Sequence, residues 1–195
     1  MNLRLVLEVH DDELARRAPE VRAALHHGIA PETTAAALEA ADPPRRPSAD
    51  LLTWFAWHNG GDYRKPVFGG WWFMPIEAAL KHADDSRAWT LGCLSGAVPI
   101  CYQDGPGTLW VPNDAPGGTS EVWLERPGDD GREPERVASC LAELVAAWTA
   151  LLRLGLTWED DSKAPHLGKV WTAPHDTPLP PDLLAQAGYP LPRLP

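Results

Sequence analysis

The chain has 195 residues, of which 44% are apolar and 23% charged, proportions of an ordinary globular protein with enough chain for one hydrophobic core; wholesale disorder and a coiled coil are excluded. Its formal net charge of −10 argues against a nucleic-acid partner, because a phosphate backbone is bound by clustered Lys and Arg, and leans toward a basic one. The three cysteines, Cys93, Cys101 and Cys140, are irregularly spaced and read as reduced thiols rather than a disulfide frame.

No apolar run approaches the roughly 20 residues of a membrane span, and Glu8, His10, Asp11 and Asp12 interrupt the N-terminal apolar stretch too early for a secretory leader. A cytoplasmic protein is expected.

Leu3, Leu5, Leu7 and Val9 alternate with Asn2, Arg4 and Glu8, the two-residue period of a half-buried strand. Asp11 to His27 reads as a charged helix interrupted at Pro19, and Pro31 opens an Ala-rich helix that ends near Asp42. After the loop Pro43-Pro44-Arg45-Arg46-Pro47, Ser48 is an N-cap for a third helix, with Leu51, Leu52 and Phe55 on one face and Trp54, Trp57 and His58 alongside. Asn59-Gly60-Gly61 is expected to stop it, since a helix end favours residues that tolerate the left-handed conformation.

Trp71-Trp72-Phe73-Met74 predicts a strand covered on both faces and ended by Pro75, followed by a short helix over Ile76 to Ala83. Three further strands are expected at Ala97 to Gln103, Thr108 to Val111 and Ser120 to Glu125, separated by turn-rich segments at Asp104 to Gly107 and Asn113 to Thr119; the spacing implies an antiparallel meander. After Ser139, Leu141, Leu144, Val145, Trp148, Leu151 and Leu152 recur at helical spacing until Gly155. From Pro165 onward eight of the 21 prolines fall in the last 31 residues, so 159–195 reads as an extended tail with a strand at Lys169 to Thr172.

Motifs for chemistry are scarce. No two cysteines are spaced for zinc, there is no HExxH, and His26-His27 point to different sides of a helix; neither metal nor cofactor is expected. Gly92-Cys93-Leu94-Ser95-Gly96 places its serine one residue late for a nucleophile elbow, and the glycines at 105, 107, 117 and 118 form neither a dinucleotide fingerprint nor a P-loop. His58 reads as a helix-terminal residue before it reads as a general base. Of the ten tryptophans, Trp54, Trp57, Trp71, Trp110, Trp123 and Trp148 fall on elements that need apolar faces, while Trp72 and Trp89 are the candidates for exposure.

Trp57-His58-Asn59-Gly60-Gly61, then Phe68-Gly69-Gly70-Trp71, then Phe73-Met74-Pro75-Ile76-Glu77-Ala78-Ala79-Leu80 resembles, in this order, the SUKH superfamily, which includes fungal cell-wall assembly regulators and bacterial immunity proteins. Gly28-Ile29, Asp104-Gly105, Glu121-Val122-Trp123 and Ser139-Cys140-Leu141-Ala142-Glu143-Leu144 extend the likeness over roughly Leu25 to Leu156. Arg46-Pro47 stands where the family has Leu-Pro.

The resemblance implies an α+β domain over 1–158, with an antiparallel sheet of about four to six strands flanked by helices, and a Pro-rich extension over 159–195. It also implies a non-enzymatic bacterial binding protein, an immunity protein for a nuclease or deaminase toxin, with an intracellular scaffold or regulator as the alternative. Acid beside aromatic residues in or next to loops marks Asp62, Tyr63, Trp72, Asp84, Asp85 and Asp104 as the expected contacts with a basic protein partner.

Overall fold

The computed structural model describes residues 1–62, 64–85, 96–103, 107–112, 120–126, 134–160, 169–172 and 179–188. It opens with a helix, α1 (Leu3–Arg17), where the alternation predicts a strand. Leu3, Leu7, His10 and Leu14 fall at helical spacing and are buried, whereas Leu5 and Val9 are 58% and 42% exposed. Periods of 2 and 3.6 coincide at i and i+4, so Leu3 and Leu7 satisfy either. Asn2 decides locally by accepting the Leu5 N–H as an N-cap.

The helix ends before Pro19, and α2 (Pro19–Ala23) restarts with that proline in its first turn. The strand β1 (Leu25–His27) takes the last residues of what reads as helix in the sequence. After it come α3 (Pro31–Ala40) and α4 (Ala49–Trp57), the latter capped by Ser48 Oγ, which accepts from Leu51 N–H at 3.2 Å. Gly28 lies on the last turn of α4, where a Cβ would overlap the Ala56 carbonyl; the same close approach lets Ile29 N–H donate to Phe55 O at 3.0 Å.

No left-handed residue stops α4. His58 is extended, with φ −147 and ψ 141, and His58–Gly61 form β2, antiparallel to β1. Pairing with β1 gives the backbone of Asn59-Gly60-Gly61 partners that a terminating turn would lack. Asn59 Oδ1 in turn accepts the first N–H of the next helix, Ile76 N–H, at 2.8 Å.

A five-stranded antiparallel sheet follows in sequential order: β3 (Trp72–Phe73), β4 (Val98–Gln103), β5 (Gly107–Val111), β6 (Val122–Glu125) and β7 (Glu135–Ala138). The expected α+β class and antiparallel meander are present, with α5 (Ile76–Asp85) between β3 and β4. β7 is an addition: as an edge strand whose first two side chains are exposed, it offers little alternation to read.

The inner face of the sheet, with Phe73, Cys101, Leu109, Val111, Val122 and Leu124, belongs to one core with α1, α4 and α6 (Leu141–Arg153). α6 buries residues on nearly every side, Leu141, Leu144, Val145, Trp148, Leu151 and Leu152 among them, as a central helix must.

The described parts of the tail are folded, correcting the extended reading. β8 (Thr157–Asp160) pairs with β9 (Lys169–Thr172), the strand expected there, and α7 (Pro181–Gln186) is a helix begun by a proline. Trp171, Leu179 and Ala187 join the main core. Three indoles fasten these segments: Trp148 Nε1 donates to Ala187 O at 2.9 Å, Trp71 Nε1 to Gly188 O at 3.2 Å and Trp171 Nε1 to Pro66 O at 3.0 Å. A buried indole N–H without an acceptor is costly, so the carbonyl positions are tied to the core packing.

Trp148→Phe keeps an aromatic ring beside Phe68 but orphans the Ala187 carbonyl. It should cost about 1–3 kcal/mol in urea unfolding and raise amide exchange in 181–188 more than in β4 and β5; uniform exchange with unchanged stability would contradict this fastening.

Candidate functional site

The outer face of the sheet carries polar and aromatic side chains in register. Trp72 lies opposite Tyr102, Tyr102 opposite Thr108 and Thr108 opposite Glu125, one residue from each of four adjacent strands. A second row runs from Trp110 to Trp123 to Arg136. Side chains alternate faces along a strand, so the inward Phe73, Cys101, Leu109 and Leu124 oblige these neighbours to point out.

α5 lays His82 over this face. Its Nε2 is 3.2 Å from Thr108 Oγ1, and its ring centroid is 5.7 Å from Tyr102 and 5.8 Å from Trp110. Trp72 and Tyr102 continue the chain of rings at 5.7 Å. Trp110 is 1% exposed and packs with Ala83, Ala97 and the half-buried Trp123 in a second apolar cluster, separate from the main core. Trp110 Nε1 donates to Glu125 Oε2 at 2.8 Å. Burial pushes the Glu125 carboxyl above its usual range, opposed by that hydrogen bond. Burial likewise holds His82 below the ordinary histidine range, with the charge of Asp85 pulling the other way.

Thr108 is the hydroxyl within reach of an imidazole here, and at 4% exposure it offers an incoming carbonyl or phosphorus no approach.

The residues named from sequence are placed unequally. Trp72 is half-buried in the aromatic row, and Asp85 stands exposed beside His82 on α5. Asp84, next to it, faces the buried Arg45 guanidinium at 3.5 Å. Asp62 shapes the turn after β2: its Oδ1 accepts Arg64 N–H at 2.9 Å while its own N–H donates to Ala24 O at 3.1 Å. Tyr63 and Asp104 lie outside the described residues, as do Trp89 and Cys93. Tyr102, His82, Thr108 and Glu125 escape the sequence reading; carrying the meander register across from Trp72 finds Tyr102, Thr108 and Glu125, while His82, on α5, is placed by the packing of that helix on the sheet. Trp110, expected in the core, is buried in the smaller cluster between α5 and the sheet, and Trp123 packs half-buried against it.

A second polar cluster surrounds α1. Glu13 is buried and takes Arg153 at 2.9 Å, Arg16 at 2.7 Å and Arg17 at 3.2 Å. The hydrogen bond from Arg153 leads in holding the Glu13 carboxyl below its usual range. Asp11 pairs with Arg22 at 2.8 Å and lies 3.3 Å from His58 Nε2, while His58 Nδ1 donates to His26 O at 2.8 Å. Burial raises the Asp11 carboxyl, but the bonds from Arg22 and His58 outweigh it and leave it lowered. His58, the one general-base candidate of the sequence, is thereby a tie between α1, β1 and β2.

His10 is fully buried with its Nδ1 3.1 Å from Thr149 Oγ1. The threonine hydroxyl already donates to Val145 O at 2.8 Å, so Nδ1 carries the proton and the Thr149 oxygen accepts. The ring is packed between Trp57 and Trp148. Among the described residues no three His, Cys, Asp or Glu side chains converge to hold a metal ion. No family model matches the chain, and no curated protein matches it.

Burial lowers the His10 pKa from 6.5 to about 3, with Asp11 and Glu13 opposing and His58 reinforcing the shift. The unfolded chain therefore binds this proton first. The stability that neutral His10 retains at pH 7 falls as pH drops from 6.5 toward 3, by about 1.4 kcal/mol per unit. Urea unfolding between pH 6.5 and 5 should show this slope, with His82 adding in the same direction and the raised Glu125 carboxyl opposing it. His10→Leu should reduce it by nearly one proton; an unchanged slope would contradict the buried neutral imidazole.

Proposed function

We propose that this chain is a non-enzymatic immunity protein of the SUKH type, acting in the bacterial cytoplasm by binding a basic toxin domain and blocking its substrate cleft. The observation that carries the reading is the outer sheet face, where half-buried Trp72, Tyr102 and Trp123 sit among carboxylates on a chain of net charge −10. Aromatic side chains on a rigid sheet give contact area at little entropic cost. Surrounding negative charge steers a nuclease or deaminase, whose cleft must be basic to hold nucleic acid, toward that face.

A standard interface of about 1,600 Å² in total would extend past the sheet onto α5 and its terminal Asp84 and Asp85. A proline-rich tail that stayed extended would favour the scaffold alternative. The folding of β9 and α7 against the core takes that support from the described part of the tail.

No helix among the described residues is long and apolar enough to cross a membrane. Coexpression with a toxin domain encoded beside its gene should restore growth, and the two chains should co-elute as one complex. Unrelieved toxicity together with separate elution would refute the reading.

A further inference from the structure

The side of α1 turned away from the core carries apolar residues into solvent. Four large apolar residues stand exposed among the described residues; two of them, Leu5 and Val9, lie one turn apart on α1, and a third, Met1, precedes the helix. We propose that this face pairs with the same face of a second copy of the chain, α1 lying antiparallel on α1 about a two-fold axis. The proposal does not depend on the immunity reading.

A single exposed Leu is ordinary on a protein surface, whereas apolar residues gathered on one helix face mark a contact. Leu3, Leu7 and Leu14, on the opposite side of α1, are buried in the main core, so the helix cannot turn to cover Leu5 and Val9 without exposing them. Arg4 and Glu8 each precede one of the two apolar residues, which places them in file along one flank of the stripe. Both are exposed, and neither forms an ion pair among the described residues. A cation four residues ahead of an acid is the weaker order for a pair within one helix, and none forms between them.

This flank is complementary to itself. In an antiparallel pair about a two-fold axis like flanks meet, and every contact occurs twice. Setting the axis level with Val6 puts Arg4 of each copy opposite Glu8 of the other. The same register seats Leu5 of each copy between Leu5 and Val9 of the other, an apolar centre bordered by two unlike-charged pairs. Sliding the copies by one turn would set Glu8 against its own equivalent, so the charges select the register. A foreign surface of one charge sign would satisfy Arg4 or Glu8 but not both.

The inner face of the sheet and the buried side of α1 share one core, so pairing through the exposed side of α1 leaves the outer sheet face free. One helix per copy makes a contact below the roughly 1,200 Å² at which stable complexes begin, so the dimer belongs to high protein concentration.

Sedimentation velocity of the full chain, from about 0.01 to about 1 mM, should show the mean mass rising toward that of a dimer. Leu5→Asp, at an exposed position, should abolish the rise. Arg4→Glu and Glu8→Arg, each alone, should weaken the dimer at least about threefold by setting like charges face to face. An equimolar mixture of those two variants should dimerise as well as the parent, since each supplies the charge that the other needs. A parent that stays monomeric throughout, a dimer that survives Leu5→Asp, or a mixture that associates no better than its components would overturn the proposal.

Discussion

The packing of Trp148 is the constraint on which the structure turns. Its ring stacks on Phe68 at 5.5 Å with planes 14° apart, meets Trp54 at 6.2 Å and His10 at 5.9 Å, and its indole N–H reaches Ala187 O. One side chain on α6 therefore fixes the positions of α4, α1, the segment before β3 and the tail. Its burial removes a large apolar surface from water, and its single donor obliges the chain near residue 187 to come to it. The ion pairs of Glu13 and Asp11 then hold the polar side of α1 without giving it any evident chemistry.

With the inner face of the sheet committed to that core, the outer face is left for another purpose. The alternation of a strand makes this division automatic: each inward Phe73, Cys101, Leu109 or Leu124 places a neighbour outside. What is not automatic is that those neighbours are Trp72, Tyr102, Thr108, Glu125, Trp110 and Trp123. α5 crosses over and supplies His82, so the face is braced by a helix while Trp72 and Tyr102 are half-buried. Rigidity behind and partial exposure in front are what a binding surface requires.

Much of this was legible from residues alone. Ser48 as a cap, Pro31 as a helix start, the leucines after Ser139 and the meander from Ala97 to Glu125 each follow a local rule that tertiary packing did not override. α1 failed because Leu3 and Leu7 satisfy two periods at once, and burial of His10, a polar residue, completed the helical face. α7 was hidden by composition: Pro180-Pro181-Asp182 is a helix start, yet it stands among prolines that read as extended chain. The site was half visible. Trp72 and Asp85 carry their character in the sequence, but Tyr102 and Glu125 join them through cross-strand register and His82 through the packing of α5 on the sheet, which no single segment displays. Asp62 has a role the sequence does not display, because its carboxylate holds Arg64 N–H in the turn after β2.

Hydrogen exchange of the chain, free and bound to the toxin domain encoded beside its gene, tests most directly whether the outer sheet face is the working surface. Protection concentrated in β3, β4 and α5, at residues 72–73, 98–103 and 76–85, is the expected result. Protection confined to α1 or α7, with those segments unchanged, would contradict it.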